Sequence, residues 1–166
     1  LRRVTASPRY RSITSGSPPE ADKQRQSINL DSSERFQMKK KILVVDDEDF
    51  HRDLLNKLLT KAGYEVAEAE SPEVALAIMK NEDFPVIITD LIMLDMDGVE
   101  FCQRIRERNS LSVIIALTGY ADLYDLQKLK QVGFDNYLTK PIKLDKIQPV
   151  VEAGFEKIKK RKKSGR

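Results

Sequence analysis

The chain holds a single cysteine, Cys102, among 166 residues, which excludes an internal disulfide and a thiolate zinc cluster. Cys102 is expected to act as a small buried hydrophobe. No apolar stretch approaches the ~20 residues that cross a bilayer, and the basic N-terminus lacks the apolar core of a signal peptide. A soluble, cytoplasmic protein with no membrane partner is therefore expected. The six phenylalanines, Phe36, Phe50, Phe84, Phe101, Phe134 and Phe155, are scattered without basic neighbours arranged for stacking, so nucleic acid is not an expected partner. The length allows one domain with a sizeable core plus tails, and leaves no room for a second full domain.

The net charge of +3 conceals a segregation. Residues 39–155 carry 15 Lys or Arg against 21 Asp or Glu, a net of −6, while the two ends together supply +9. Residues 1–38 are rich in Ser, Pro, Arg and Gln without apolar periodicity and read as a disordered arm, linker or leader. The final run from Lys157 to Arg166 is strongly basic, and 159–166 reads as a solvated tail at a frayed helix end.

Between these ends, apolar β-branched runs alternate with amphipathic segments. Leu54, Leu55, Leu58, Leu59 and Ala62 define a helix that Gly63 ends. Tyr64 to Glu68 alternates as an edge strand would. Ser71 caps the next helix, with Pro72 at its first position and Val74, Ala75, Ile78 and Met79 as its buried stripe. Asp97-Gly98 turns into a helix using Val99, Phe101, Cys102 and Ile105. Leu123, Leu126, Leu129 and Val132 form a further stripe, ended by Gly133. The last helix runs from Leu144 to about Lys160, and Pro149 within it predicts a kink or a late start. Five βα units give a doubly wound α/β sheet with helices on both faces.

Four runs stop on polar residues. Ile42 to Val45 stops on Asp46 and Asp47, Val86 to Thr89 on Asp90, Val113 to Leu117 on Thr118, and Asn136 to Thr139 on Lys140. In a parallel sheet all these ends share one edge, which brings three carboxylates, a hydroxyl and an ammonium together. Crowded carboxylates repel one another, and a hard dication, Mg²⁺ before Ca²⁺, would relieve that repulsion. Asp90 could then attack phosphorus as a carboxylate nucleophile, with metal and Lys140 stabilising the transferring group. Each residue also has a plainer role. Asp46 and Asp47 could cap the first helix, Lys140 could form a simple salt bridge, and Thr118 could be an ordinary strand-end threonine. His51, in the first turn of the first helix, reads as an exposed surface histidine.

Taken together, Ile42-Leu43-Val44-Val45-Asp46-Asp47-Glu48, Ile88-Thr89-Asp90-Leu91-Ile92-Met93 with Asp97-Gly98, Ala116-Leu117-Thr118-Gly119 and Tyr137-Leu138-Thr139-Lys140-Pro141 resemble the receiver domain of bacterial two-component response regulators, of the single-domain, chemotaxis-regulator-like kind. The resemblance covers residues 39–158, and as a joint pattern it is specific. It implies a flavodoxin-like five-stranded sheet of order 2-1-3-4-5. It also implies that Asp90 accepts a phosphoryl group from a histidine kinase or phosphotransfer protein. Asp47, Asp90 and the Ile92 carbonyl would bind Mg²⁺ directly, and Asp46 through water. Lys140 would pair with the phosphoryl group, the Lys140-Pro141 peptide would be cis, and Thr118 and Tyr137 would form a switch that changes a partner-binding face for a downstream protein target. No output domain is expected in this chain, and the domain is not expected to be an enzyme beyond self-catalysed phosphotransfer and slow autodephosphorylation.

The chain departs from the family's usual pattern at Leu94, where Pro is common. Ile92 and Tyr120, which flank the path of attacking water in such domains, are bulky and neither acidic nor amide-bearing. Two other readings compete. Asp47-Glu48-Asp49 fits the acid-x-acid pattern of aspartate-nucleophile phosphatases, with Asp47 as nucleophile. Alternatively, a receiver-like module could bind a partner without being phosphorylated.

Overall fold

The protein is described from a computed structural model, which defines residues 40–119 and 125–164. The expected arm at 1–38, Tyr120 and Leu123 lie outside the described residues.

The central strands form where the sequence is continuously apolar. Strands β1 (Lys41–Val45), β3 (Val86–Asp90) and β4 (Val113–Thr118) are buried along their whole length, as parallel strands covered on both faces must be. Strands β2 (Glu65–Ala69) and β5 (Asn136–Thr139) carry exposed residues and close the two edges. The parallel sheet has the order β2-β1-β3-β4-β5.

Alternation of side chains along each strand divides the core into two layers. Leu43, Val45, Ile87, Ile114 and Ala116 pack with Ala75 of α2 (Pro72–Ile78), Phe101, Cys102 and Ile105 of α3 (Gly98–Arg108) and Leu129 of α4 (Leu126–Val132). Ile42, Val44, Val86, Ile88, Ile115 and Leu117 pack with Leu55 and Leu59 of α1 (Asp49–Lys61) and with Ile147, Val151 and Phe155 of α5 (Leu144–Ser164). Each such fully buried aliphatic side chain contributes about 1.5–3 kcal/mol. Cys102 is a core residue, and burial pushes its thiol pKa up to about 11, which keeps it protonated and unreactive.

Local signals acted largely as the sequence predicts. Ser71 accepts from the Val74 amide with Pro72 at the first helical position, and Gly63 adopts a φ of 87° just after α1. Two helices differ from expectation. In α2, Val74 faces solvent, and the contact with the core is made by Ala75 with partly buried Leu76, Ile78 and Met79. The apolar set spans more than one face, and packing against the sheet chooses among them. Helix α5 neither starts late nor stops near Lys160. It continues through Pro149 to Ser164, because Ile147 and Val151 are buried on either side of the proline and Ile158 is buried two residues before the expected end. Arg161 then ties the basic end down by donating to the carbonyls of Leu111 and Ser112.

Among the described residues no helix is long and apolar enough to cross a membrane.

Candidate functional site

Between β1 and β3 the strand order reverses, which opens a crevice at their C-terminal ends. Asp46 follows β1 directly and is fully buried. Its Oδ1 accepts the Glu48 amide at 2.9 Å, and Arg52 Nη1 donates to its backbone carbonyl at 2.7 Å. Asp46 thus faces the crevice. The N-cap of α1 is Glu48, with no side-chain cap bond of its own, and Asp46 reaches only the amide of that residue.

Asp90 ends β3 and is almost wholly buried. Its Oδ1 accepts the Ile92 amide at 3.3 Å. Lys140, immediately after β5, reaches across from the far edge. Its Nζ donates to Asp90 Oδ2 at 2.6 Å and to Asp46 Oδ2 at 3.0 Å. Burial alone would lower the Lys140 pKa, but hydrogen bonds to Asp90 and Asp46 outweigh it and raise the value above that of a free lysine. Lys140 is therefore a fixed cation between two carboxylates. Its peptide bond with Pro141 is cis.

Thr118, the last residue of β4, is buried, and its carbonyl accepts the Lys140 amide at 2.8 Å. Tyr137 pairs with Ala116 and Thr139 with Thr118 in the β4–β5 ladder. Thr118 and Tyr137 consequently lie on one face of the sheet, a diagonal step apart, with Tyr137 packed against the layer that contains Ala116 and Leu129.

The loop after Asp90 is shaped by backbone geometry. Asp95 holds a left-handed φ of 63°, and Asp97 Oδ1 caps α3 through the Glu100 amide at 2.8 Å. A Cβ on Gly98 would lie 2.1 Å from the Asp90 carbonyl oxygen, so only glycine lets α3 begin against the end of β3. Leu94 is exposed, and Ile92 is half-exposed beside Asp90.

The structure brings Asp46, Asp90, Lys140 and Thr118 to one edge, as the strand endings imply. It leaves Asp47 exposed beside Asp46, with no side-chain hydrogen bond or ion pair among the described residues. It does bring in a residue expected on the surface. His51 is only 22% exposed at its side chain, with Nδ1 2.9 Å from Lys140 Nζ and 3.4 Å from Asp46 Oδ1. The available signal was its place in the first turn of α1, five residues after Asp46, where a helix leaving a strand end directs side chains back over that end.

One ligand atom each from Asp46, His51 and Asp90 lies within 4.8 Å of the others. Two buried carboxylates and an imidazole converging on one point, already bridged by an ammonium, fit a divalent cation.

Residues 42–152 match the response regulator receiver domain family. The alkaline phosphatase synthesis transcriptional regulatory protein PhoP of Bacillus subtilis is 34% identical over 116 residues, covering 70% of this chain and 48% of PhoP. The chain spans about half the length of this and several other curated relatives it matches. Among solved structures, the chemotaxis response regulator CheY4 of Vibrio cholerae is 32% identical with a TM-score of 0.65, covering 69% of this chain and 97% of CheY4. A structure described as the adenylate cyclase from Rhodopirellula baltica is 31% identical with a TM-score of 0.71, covering 77% and 96%. From residue 42 to 152, then, this chain belongs to the response regulator receiver domains of two-component signalling.

Proposed function

We propose that this domain is a phosphorylation-controlled switch in which Asp90 accepts a phosphoryl group from a histidine kinase or phosphotransfer protein. The observation that carries this reading is the 2.6 Å contact between Lys140 Nζ and Asp90 Oδ2. An Asp90 oxygen attacks phosphorus, the bond from phosphorus to the donor nitrogen breaks, and that nitrogen keeps the electron pair. The product is a mixed anhydride on Asp90. Lys140 is already beside the Asp90 carboxylate and can follow the incoming phosphoryl oxygens as a point charge. When bound, Mg²⁺ would offset the carboxylate charge and polarise the phosphoryl group. Asp46, Asp47 and Asp90 would hold it, with the Ile92 carbonyl. The domain itself is a phosphoacceptor rather than a turnover enzyme.

The signal would leave through Thr118 and Tyr137. A phosphoryl oxygen draws the Thr118 hydroxyl toward Asp90, and Tyr137 turns into the space released, which shifts a pre-existing equilibrium at the α4–β5–α5 face toward a downstream protein.

Intact-mass measurement after exposure to a small phosphodonor tests this reading. One phosphoryl group is expected on the wild type with Mg²⁺, and none on Asp90→Asn or without the metal. Phosphate on Asp47 would overturn it in favour of an aspartate-nucleophile phosphatase, and no phosphate at all would favour a binding module.

A further inference from the structure

We propose that His51 is a metal ligand, and that it makes this site take a transition-metal dication such as Zn²⁺ or Co²⁺ more tightly than Mg²⁺. The inference rests on the phosphoacceptor reading and specifies which cation its pocket prefers.

His51 Nδ1 lies 2.9 Å from the Lys140 ammonium. An ammonium offers only hydrogens, so the tautomer that suits this contact has its Nδ1 lone pair aimed into the crevice, while Asp46 Oδ1 and Glu48 Oε1 each stand 3.4 Å from the same nitrogen. That lone pair points where Asp46 Oδ2 and Asp90 Oδ2 also point, since all three atoms surround the one Lys140 Nζ at 2.9, 3.0 and 2.6 Å. The ammonium marks the centre of a three-ligand set from three separate segments: the end of β1, the first turn of α1 and the end of β3.

The set is held from behind. The Glu48 amide fixes Asp46 Oδ1, the Ile92 amide fixes Asp90 Oδ1, and Arg52 ties the first turn of α1 to the Asp46 carbonyl. A dication binds nitrogen and oxygen donors at about 2.0–2.2 Å, so each ligand need close by less than about 1 Å once the dication displaces the Lys140 ammonium from between them.

Ligand chemistry then decides the ion. Carboxylates, carbonyls and water suit Mg²⁺, whereas an imidazole nitrogen suits zinc and its neighbours and gains little from Mg²⁺. The competing interpretation is that His51 merely accepts a hydrogen bond from Lys140.

The chain contains one histidine, so the ring ¹⁵N signals of the tag-free, full-length protein report His51 without assignment. Zn²⁺ is expected to move the Nδ1 resonance out of the free lone-pair range, and Mg²⁺ to leave it there. By calorimetry, His51→Leu and His51→Gln are each expected to weaken Co²⁺ binding at least about 10-fold, the scale on which zinc sites lose affinity when an outer-shell partner is removed, while changing Mg²⁺ affinity by less than about 3-fold. An Nδ1 signal indifferent to Zn²⁺, or equal losses for both metals, would overturn the proposal. Mass analysis on the same wild-type sample separates the two failures: phosphorylation of Asp90 with Mg²⁺ alongside an indifferent Nδ1 removes only the His51 role, whereas no phosphorylation removes the underlying reading.

Discussion

Lys140 and Asp90, 50 residues apart in sequence, are joined by a 2.6 Å ion pair in which the ammonium is 14% exposed and the carboxylate 8%. Asp46 shares the same ammonium, so one cation compensates two buried carboxylates. Lys140→Met removes that compensation and the charge that meets the phosphoryl group. Loss of one such stabilising donor typically costs about 10²–10³ in rate. The expected outcome is slower labelling of Asp90 by a small phosphodonor by at least about 10-fold, read by mass against time at fixed Mg²⁺. Labelling at the wild-type rate would show that Lys140 has only a structural role.

Gly98 offers a steric test of the loop. A Cβ there would meet the Asp90 carbonyl oxygen at 2.1 Å and the Leu91 Cα at 2.9 Å, both backbone atoms that cannot swing away. Gly98→Ala is expected to lower stability by about 1–3 kcal/mol, the usual cost of overpacking, and to displace Asp90. Urea unfolding and the phosphorylation rate should fall together, whereas Gly119→Ala, with no atom of the described residues within 4 Å of the added Cβ, should leave stability nearly unchanged.

At the opposite end of the sheet Asp135 supplies the pH dependence. Burial pushes its pKa up, but Lys157, the Ile114 amide and Arg161 more than offset this and hold it below the ordinary aspartate value of 3.8. A carboxyl whose folded value is depressed adds stability above its unfolded pKa and loses it as pH falls through the folded one. Asp135→Asn should therefore be clearly less stable than wild type at pH 6, and the gap should narrow as pH drops below about 3.8. A gap constant down to pH 2, followed by urea midpoints, would sink this assignment.

Ile92 stands half-exposed beside the accepting carboxylate, and its apolar side chain gives an attacking water nothing to bond. Ile92→Asn is expected to shorten the lifetime of phosphorylated Asp90, followed as loss of the added mass after the donor is removed. An unchanged lifetime would count against a shielding role for Ile92.

The local chemistry of this chain was legible without coordinates. Apolar runs long enough for strands, Ser71-Pro72 as a helix start, Gly63 as a helix stop and polar residues closing each inner strand are short-range features, and period and turn chemistry settle them within a few residues. The meeting of Asp90 with Lys140 followed because the strand ends of a parallel sheet share one edge, whereas the strand order came only with the resemblance to receiver domains.

What only the tertiary structure decided is the direction and partner of individual side chains. Asp46 and Asp47 are adjacent and chemically identical, yet the first is sealed inside and the second faces solvent, a choice made when Lys140 arrives from 94 residues away. His51 became part of the site for the same reason. The basic C-terminal run became helix through Ser164 because Asp135 and the carbonyls of Leu111 and Ser112 wait for Arg161. Propensity acts along the chain, whereas satisfaction of buried charge acts across it.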